Sequence, residues 1–281
     1  MIGHHEWVAE TRRPKSLILD LYGRYSPQFK GWLAVSDLVH LMGLLDVDEQ
    51  AVRSAVSRMT RRGLLHPEVR GRVRGYATTA EADALFEDGD SRIYSAMEPA
   101  ALADGWVLLS FSMPETERDK RHVLRSTLMW LGLGNVSSGL WIGPRRLLPK
   151  VVDAVRNLQF DRYVDVFTAS HHGFGDIGQL VGRAWDLDHL AVEYTSFIEL
   201  HEPRLLAIKR SRSNVDTQQA FVIYTLALHQ WRKFPYLDPG LPTELLPNGW
   251  PGVAAASVFH QLRERLEPAA MQFAASTVSG R

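Results

Sequence analysis

Apolar residues recur at helical spacing in the first quarter of the chain. The spacing predicts helices over 15–25, 37–42 and 48–62, each with its apolar side chains on one face. After the third helix, an apolar strand begins at Leu64 and leads into a basic turn that contains glycine. Three short helices followed by a two-stranded hairpin predict a winged helix-turn-helix domain over 14–88, the first of three domains.

The third predicted helix has two chemically different faces. Val52, Val56 and Met59 form its apolar stripe, and the other side carries Arg53, Ser54, Ser57, Arg58, Arg61 and Arg62. The turn of the hairpin adds Arg70, Arg72 and Arg74. Side chains of these types donate hydrogen bonds to phosphate oxygens and base edges. We predict that the nine residues contact DNA. The first four would read bases, Arg61 and Arg62 would hold phosphates, and the hairpin arginines would enter a minor groove.

The charge of the chain is balanced overall but uneven along it. Lys and Arg together number 32, as do Asp and Glu, whereas residues 1–75 contain 12 basic and 8 acidic side chains. Within 53–74 there are seven arginines and a single carboxylate, Glu68. Because attraction to phosphate depends on nearby charges, a basic patch on a neutral protein fits DNA binding by one domain. An arginine-rich helix face that is only solvated would leave the same pattern.

The composition excludes several kinds of site. The chain of 281 residues is 45% hydrophobic and contains no cysteine, so disulfides, thiolate zinc sites and cysteine nucleophiles are excluded. It has no run of about 18 apolar residues, the length that a membrane span needs. Its N-terminus lacks the apolar segment of a secretory signal. We therefore expect a cytoplasmic protein.

The middle of the chain alternates between strand and helix patterns. Strands are predicted over 106–113 and 163–170, helices over 115–131 and 147–158, and a short strand within 134–144. This order predicts a ferredoxin-like α/β sandwich over 104–172, although the pattern does not reveal a fourth strand. We expect this central domain to serve in dimerisation or in coupling between the other two.

The remainder of the chain is helical in pattern. Apolar spacing predicts helices over 177–184, 187–202, 215–233 and 254–266. The segment 233–252 contains five prolines, which forbid a regular helix, but it is too apolar for a flexible linker. We predict a helical C-terminal domain over 175–268 that includes this segment as an ordered proline-rich strap. The fold class is then α+β multidomain: a winged helix-turn-helix, a ferredoxin-like α/β sandwich and a helical domain.

An enzyme built on the central domain is the main alternative to a DNA-binding protein. The domain resembles small CRISPR-associated nucleases, whose metal is held by an aspartate at the end of the first strand. Here that strand ends in Ser110-Phe111-Ser112-Met113, without a carboxylate. His171 and His172 are adjacent, which is not the spacing of a zinc hydrolase. We therefore predict no catalytic residue, no metal and no cofactor. A winged helix that binds another protein is a further alternative.

Several segments of the chain resemble the PaaX family, the transcriptional repressors of phenylacetate-degradation operons. The resemblance covers nearly all of 14–268. The segments that carry it are PKSLILDLYG (14–23), VRSAVSRMTRRGLL (52–65), GWVLLSFSMPE (105–115), KRHVLRSTLMWLGLGNVSSGLWIGP (120–144) and WRKFPYLDPGLPTELLPNGWPG (231–252). One departure lies in the wing, where Arg74-Gly75-Tyr76-Ala77 stands in place of an expected serine-tyrosine pair. The contacts of the wing are therefore open.

The resemblance implies a ligand-responsive repressor. Such a protein binds double-stranded operator DNA as a homodimer and releases it when an acyl-CoA, typically phenylacetyl-CoA, is bound. A coenzyme A thioester needs cations for its phosphates and an apolar slot for its acyl group. The candidates for these roles are Arg145, Arg146, His171, His172, Trp231, Arg232 and Lys233.

Overall fold

The computed structural model of the protein describes residues 14–94, 99–173, 175–211 and 215–279. Within these ranges the chain forms an N-terminal unit of helices and a small sheet, a central α/β unit and a C-terminal set of helices. The predicted α+β multidomain fold is confirmed. In the same ranges, no helix combines the length and the hydropathy that crossing a membrane requires.

The N-terminal unit contains the three predicted helices and the hairpin, together with one further strand and a fourth helix. Its elements are α1 (Pro14–Phe29), β1 (Trp32–Ala34), α2 (Val35–Gly43), α3 (Glu49–Arg61), β2 (Leu65–Arg70), β3 (Val73–Thr78) and α4 (Ala80–Ile93). The sequence pattern does not predict β1, because three residues are too few to show a period of two. This strand pairs antiparallel with β3 in a sheet of order β1-β3-β2, so backbone hydrogen bonds attach the hairpin to the helices.

Gly75 allows β1 to lie close to β3. It pairs with Ala34, and a Cβ atom added to it would overlap the carbonyl oxygen of Leu33 and the ring of Trp32. Any larger residue must therefore move β1 or the Trp32 side chain. The glycine thus determines how the hairpin sits on the helical part of the unit.

The central unit has the predicted ferredoxin-like topology. Its elements are β4 (Trp106–Phe111), α5 (Arg118–Trp130), β5 (Gly134–Ser137), β6 (Leu140–Pro144), α6 (Leu148–Leu158) and β7 (Val164–Ala169). The order of the antiparallel sheet is β5-β6-β4-β7. The fourth strand, which the pattern does not reveal, comes from 134–144. This segment is a tight hairpin of two strands and not one strand, and each strand is too short to show its own alternation.

The two faces of the central sheet are covered by different parts of the chain. Leu124 and Leu128 of α5 and Val151 of α6 pack on one face. On the other face, Trp106 and Ile142 pack against the helix over Ile177–Ala184 and against Leu241 of the proline-rich strap. The strap therefore packs on the central sheet and ties the C-terminal helices to it.

The C-terminal helices are longer than the pattern predicts, because two of them continue through a proline. They are α7 (Ile177–Ala184), α8 (Leu187–Arg210), α9 (Thr217–Trp231), α10 (Phe234–Leu237) and α11 (Gly252–Ser279). Pro203 lies inside α8 and Pro268 inside α11. The predicted ends at 202 and 266 are wrong. Buried residues beyond each proline, Leu205 in α8 and Ala270 in α11, extend the packed face and offset the missing hydrogen bond. The strap also contains one helical turn, α10, with Pro235 in the first turn that proline tolerates.

The N-terminal unit and the C-terminal helices share one hydrophobic core. Helix α1 lies against α9 and α11, and its Leu17, Ile18 and Tyr25 belong to the same buried cluster as Phe221 and Phe259. The Tyr25 hydroxyl also shares a buried hydrogen bond of 2.8 Å with Thr225 Oγ1. The first and third of the predicted domains are therefore packed against each other. The winged helix-turn-helix is therefore built directly onto the C-terminal helices.

A buried cluster of charges lies within this shared core. The carboxylate of Asp20, in α1, is 2.5 Å from His229 Nδ1 and 2.8 Å from Arg232 Nε. Arg232 also donates a hydrogen bond to Ser16. The side chains of Asp20, His229 and Arg232 are 3%, 6% and 4% exposed, so water screens these charges little.

Asp20→Asn should destabilise the fold by about 3–5 kcal/mol, because it leaves the buried Arg232 charge without its carboxylate. Urea unfolding of both proteins at neutral pH measures the difference. Asp153→Asn on the exposed side of α6 is the matched control and should stay within about 0.5 kcal/mol of wild type. If the two variants unfold at the same urea concentration, the cluster does not hold α1 in place.

Gly75→Ala should lower the free energy of unfolding by about 1–3 kcal/mol, because the new Cβ overlaps β1. The control is Gly43→Ala at the end of α2, where an added Cβ meets no atom within 4 Å. Thermal unfolding and Trp fluorescence of both variants provide the comparison. An unchanged melting temperature in Gly75→Ala would contradict the close approach of β1 and β3.

Candidate nucleic-acid interface

Helix α3 is held by its cap and by its buried stripe. The Asp48 side chain accepts a hydrogen bond of 2.9 Å from the Ala51 amide, which satisfies a donor at the helix N-terminus. Val52, Val56 and Met59 are buried, as predicted. The helix ends where Gly63 adopts a φ of +72°, which favours glycine. Thirteen residues make a helix about 20 Å long.

The opposite side of α3 is exposed along its whole length. All six predicted contact residues on this helix are exposed: Arg53, Ser54, Ser57, Arg58, Arg61 and Arg62. Two of the arginines are oriented by neighbours one turn away. Arg53 pairs with Glu49 at 2.6 Å, and Arg58 Nη1 donates to Ser54 Oγ at 2.8 Å. These contacts limit the freedom of both side chains without burying their charges.

The hairpin of β2 and β3 is the wing that follows the helix. Thr79 joins it to α3 and to α4, since its hydroxyl donates to the Gly63 carbonyl at 2.6 Å and accepts from the Ala82 amide at 3.2 Å. Arg72 and Arg74 are exposed and form no ion pair or side-chain hydrogen bond with the described part of the chain. Their charges are free to meet an anion from outside.

One groove brings the helix and the wing together. It is lined by Val35, Ser36 and Val39 of α2, Glu49 and Arg53 of α3, and Arg72, Val73 and Arg74 of the wing. The N-terminal end of α3 and the tip of the wing thus face the same space. This is the arrangement in which a helix in a major groove and an adjacent wing contact one duplex.

Arg70 is placed differently from the other two wing arginines. Its guanidinium pairs with Glu68 at 2.7 Å and lies 5.1 Å from the centre of the Trp32 ring. The hydrogen bond from Arg70 lowers the pKa of Glu68, with a further contribution from His66. Arg70 lines another groove, with His66 and Glu68. Its charge is compensated within the protein, so Arg70 is a weaker candidate for DNA contact than Arg72 and Arg74.

The sequence pattern does not single out Trp32, whose side chain contacts both strands of the wing. Its indole donates to the Glu68 carbonyl at 3.3 Å, and its ring lies under Arg70 and against Gly75. Trp32 therefore orders the wing. The one signal in the sequence is the short apolar run Trp32 to Val35 just before the second helix, which contains the strand β1.

Three of the predicted effector residues have partners inside the protein. Trp231 is 2% exposed and stacks on Phe259 at 4.7 Å. Arg232 is held by Asp20 in the buried cluster, and Lys233 pairs with Glu193. Trp231 and Arg232 are thus core residues, and their contact with an effector stays a prediction. Lys233 is half-buried and engaged in its own ion pair.

The other four predicted effector residues lie at one end of the central sheet. Arg145 follows β6, and its amide donates to the Gly105 carbonyl at 3.1 Å. His171 and His172 follow β7, whose last residue pairs with the first residue of β4. Arg145, Arg146, His171 and His172 are all exposed. Arg146 reaches the strap and donates to the Pro239 carbonyl at 3.1 Å.

The described residues contain no group of three or more His, Asp or Glu side chains arranged to hold a metal ion. The end of β4 carries no carboxylate, and its register places Ser110 opposite Asp165 of β7. The described residues therefore give no support to the nuclease-like alternative.

Family models match three consecutive parts of the chain. The model of the PaaX-like protein matches residues 13–82, that of the PaaX protein central Cas2-like domain residues 99–181, and that of the PaaX-like protein C-terminal domain residues 185–276. The order of the matches follows the three units of the structure. Together they leave only short segments unmatched.

Two individual proteins are similar along most of the chain. The transcriptional repressor PaaX of Escherichia coli (strain K12) is 27% identical over 261 residues, which are 92% of this chain and 82% of that protein. The structure of the uncharacterized protein Rv0674 from Mycobacterium tuberculosis has a similar fold. Its TM-score is 0.55 at 21% identity, and the match covers 92% of this chain and 97% of the other. With all three of its units matched in order by the family's models, the chain belongs to the PaaX family.

Proposed function

We propose that this protein is a DNA-binding transcriptional repressor that acts as a homodimer on operator DNA. The observation that carries the proposal is the groove between α3 and the wing, where Arg53 faces Arg72 and Arg74. Membership of the PaaX family and the similarity to a repressor of Escherichia coli support a regulator over an enzyme.

The exposed side of α3 has the chemistry for reading a duplex. Arg53 and Arg58 lie on the exposed side, and guanidinium groups bond guanine in a bidentate manner. Ser54 and Ser57 bond either bases or phosphates, and Arg61 and Arg62 at the end of the helix suit phosphates. The wing arginines would follow the minor groove or the adjacent phosphates. A neutral chain with this patch would bind DNA through one domain only.

The effector and the target operon form the finer part of the proposal. We propose that the protein represses an aromatic-acid catabolic operon of the phenylacetate type and that an acyl-CoA such as phenylacetyl-CoA releases it. The support is the family resemblance and the position of the winged helix-turn-helix, which shares a core with the C-terminal helices. A ligand bound among those helices would change the placement of α1, and α3 packs on α1.

Alanine substitutions of the interface residues should have two kinds of effect on DNA binding. Arg53→Ala and Arg58→Ala should reduce discrimination between operator and random duplex by about 1–3 kcal/mol each. Arg72→Ala and Arg74→Ala should weaken binding to both duplexes and lower the salt slope by about one for each phosphate that is no longer neutralised. Fluorescence anisotropy measures both effects on a duplex from the chain's own upstream region, at several salt concentrations.

Arg183→Ala, on an exposed position of α7, is the control for removal of a positive charge and should change neither quantity. If wild type binds no duplex, or binds without salt dependence, the winged helix is a protein-interaction module and the repressor proposal fails. If Arg53→Ala and Arg58→Ala keep full selectivity, the assignment of the base-reading residues is wrong.

Phenylacetyl-CoA at saturation should release the operator duplex, with little effect from phenylacetate or free coenzyme A. A population shift from 99:1 to 1:99 between bound and released forms needs a difference in affinity of about 10⁴-fold. A gel shift over a thioester series, with acetyl-CoA as the control, measures the release. Undiminished operator binding at saturating phenylacetyl-CoA would remove this effector and leave the repressor intact.

A further inference from the structure

At one junction, positive side chains of the N-terminal and central units lie beside the proline-rich strap of the C-terminal unit. Arg92 lies in the last turn of α4, and Arg146 and Lys150 lie just before and within the first turn of α6. The strap passes the same place with Pro239 and Gly240. None of the predicted effector residues except Arg146 belongs to this cluster.

Arg92 is the least exposed member of the cluster. Its side chain is 13% exposed, and its guanidinium lies 3.5 Å from the centre of the Trp130 ring and 5.3 Å from that of Tyr236. The two rings are themselves 5.5 Å apart. Trp130 belongs to the central unit and Tyr236 to the C-terminal helices, so Arg92 joins all three units. Its carboxylate partner is Asp88, at 3.4 Å.

Arg146 is directed by the strap. Its Nη2 atom donates to the carbonyl oxygens of Pro239 and Gly240 at 3.1 and 3.4 Å. The nearby carboxylate of Asp238 is already engaged, because it accepts from the Tyr194 hydroxyl at 2.8 Å and from the Gly240 amide at 2.7 Å. Arg146 is thus hydrogen-bonded by neutral groups, while its charge interacts with the nearby carboxylate of Asp238 and lowers the pKa of that group against the effect of burial.

Lys150 is the member without a hydrogen-bond partner. It forms no ion pair or hydrogen bond with any residue in the described part of the chain. Burial lowers the pKa of Lys150, the charges of Arg92 and Arg146 lower it further, and Asp88 acts in the opposite direction. Arg92, Arg146 and Lys150 outnumber the two neighbouring carboxyl groups, Asp88 and Asp238, and a bound anion would balance the excess positive charge.

We propose that Arg92, Arg146 and Lys150 bind the phosphate groups of a small phosphorylated ligand at the junction of the three units. Clefts between domains are preferred places for small-molecule sites. Arg92 is little exposed between the Trp130 and Tyr236 rings, which favours a small molecule over the backbone of a duplex, although Arg146 and Lys150 are exposed. The inference rests on the proposed function in one respect, namely that the ligand would be the effector of the repressor.

The position of Arg92 connects this site to the DNA interface. Arg92 is at the C-terminal end of α4, and Thr79 caps the N-terminal end of the same helix while bonding the Gly63 carbonyl at the end of α3. A phosphate that attracts Arg92 competes with Asp88 and with the Trp130 ring. Binding of the complete effector would therefore act on a helix that reaches both the junction and the wing, whereas free coenzyme A would occupy the phosphate site with little effect on DNA binding.

Isothermal titration calorimetry of the full chain without DNA tests the site, with pyrophosphate and coenzyme A as the probes. We expect wild type to bind coenzyme A. Lys150→Gln should weaken the binding by about tenfold or more, the usual effect of removing a hydrogen bond to a charged group. The control is Arg156→Gln, which removes a charge from an exposed position of the same helix and should leave the affinity unchanged. Because Lys150 forms no hydrogen bond with the residues that the structure describes, the variant should fold normally.

Two results would overturn the proposal: no heat with either probe at millimolar concentration, or equal affinity in wild type and Lys150→Gln. If pyrophosphate and coenzyme A bind equally and both depend on Lys150, the phosphate groups alone provide recognition, and the proposal holds. Operator binding of the same preparations is measured separately. Absence of that binding in wild type would defeat the repressor proposal and leave the calorimetric result standing.

Discussion

The pairing of Asp20 with His229 and Arg232 is the constraint on which the arrangement of the units depends. Apolar helix faces tolerate small displacements, because one methyl group packs nearly as well as another. Buried charges do not, since a displaced partner leaves an uncompensated charge in the core. Helix α1 therefore has one favourable position on α9. Because α3 packs on α1, the same pairing determines where α3 is held.

Further polar contacts follow the same boundary. Arg24 of α1 pairs with Glu267 of α11, and the Tyr224 hydroxyl of α9 donates to the same carboxylate at 2.5 Å. The guanidinium groups of Arg24 and Arg263 lie 5.1 and 4.3 Å from the centre of the Tyr94 ring, just past the end of α4. The N-terminal unit is thus attached to the C-terminal helices through both its first and its last helix. A regulator built in this way can transmit a change from one unit to the other through packed helices.

The sequence predicts what depends on local periodicity and misses what depends on distant partners. The amphipathic stripe of α3 and the order of elements in the central sandwich follow from short-range patterns. Strand β1 and the second strand of the 134–144 hairpin are too short for such patterns. The sequence does not predict the ion pair of Arg232, because its partner Asp20 is more than two hundred positions away and only the fold brings them together. The one local signal of a buried ion pair is the carboxylate of Asp20 within the apolar run of α1.

The single side chain of Thr79 has a geometric consequence for recognition. It fixes the start of α4 to the end of α3, at the base of the wing. Fourteen residues of α4 span about 20 Å, so a displacement of about 2 Å at the far end tilts the helix by roughly 5° about this point. Wing strands of six residues reach about as far. If the wing tilts with α4, its tip moves by a similar distance of about 2 Å. Donor–acceptor distances in hydrogen bonds vary by only about 0.5 Å, so such a movement would break the contacts of the wing tip.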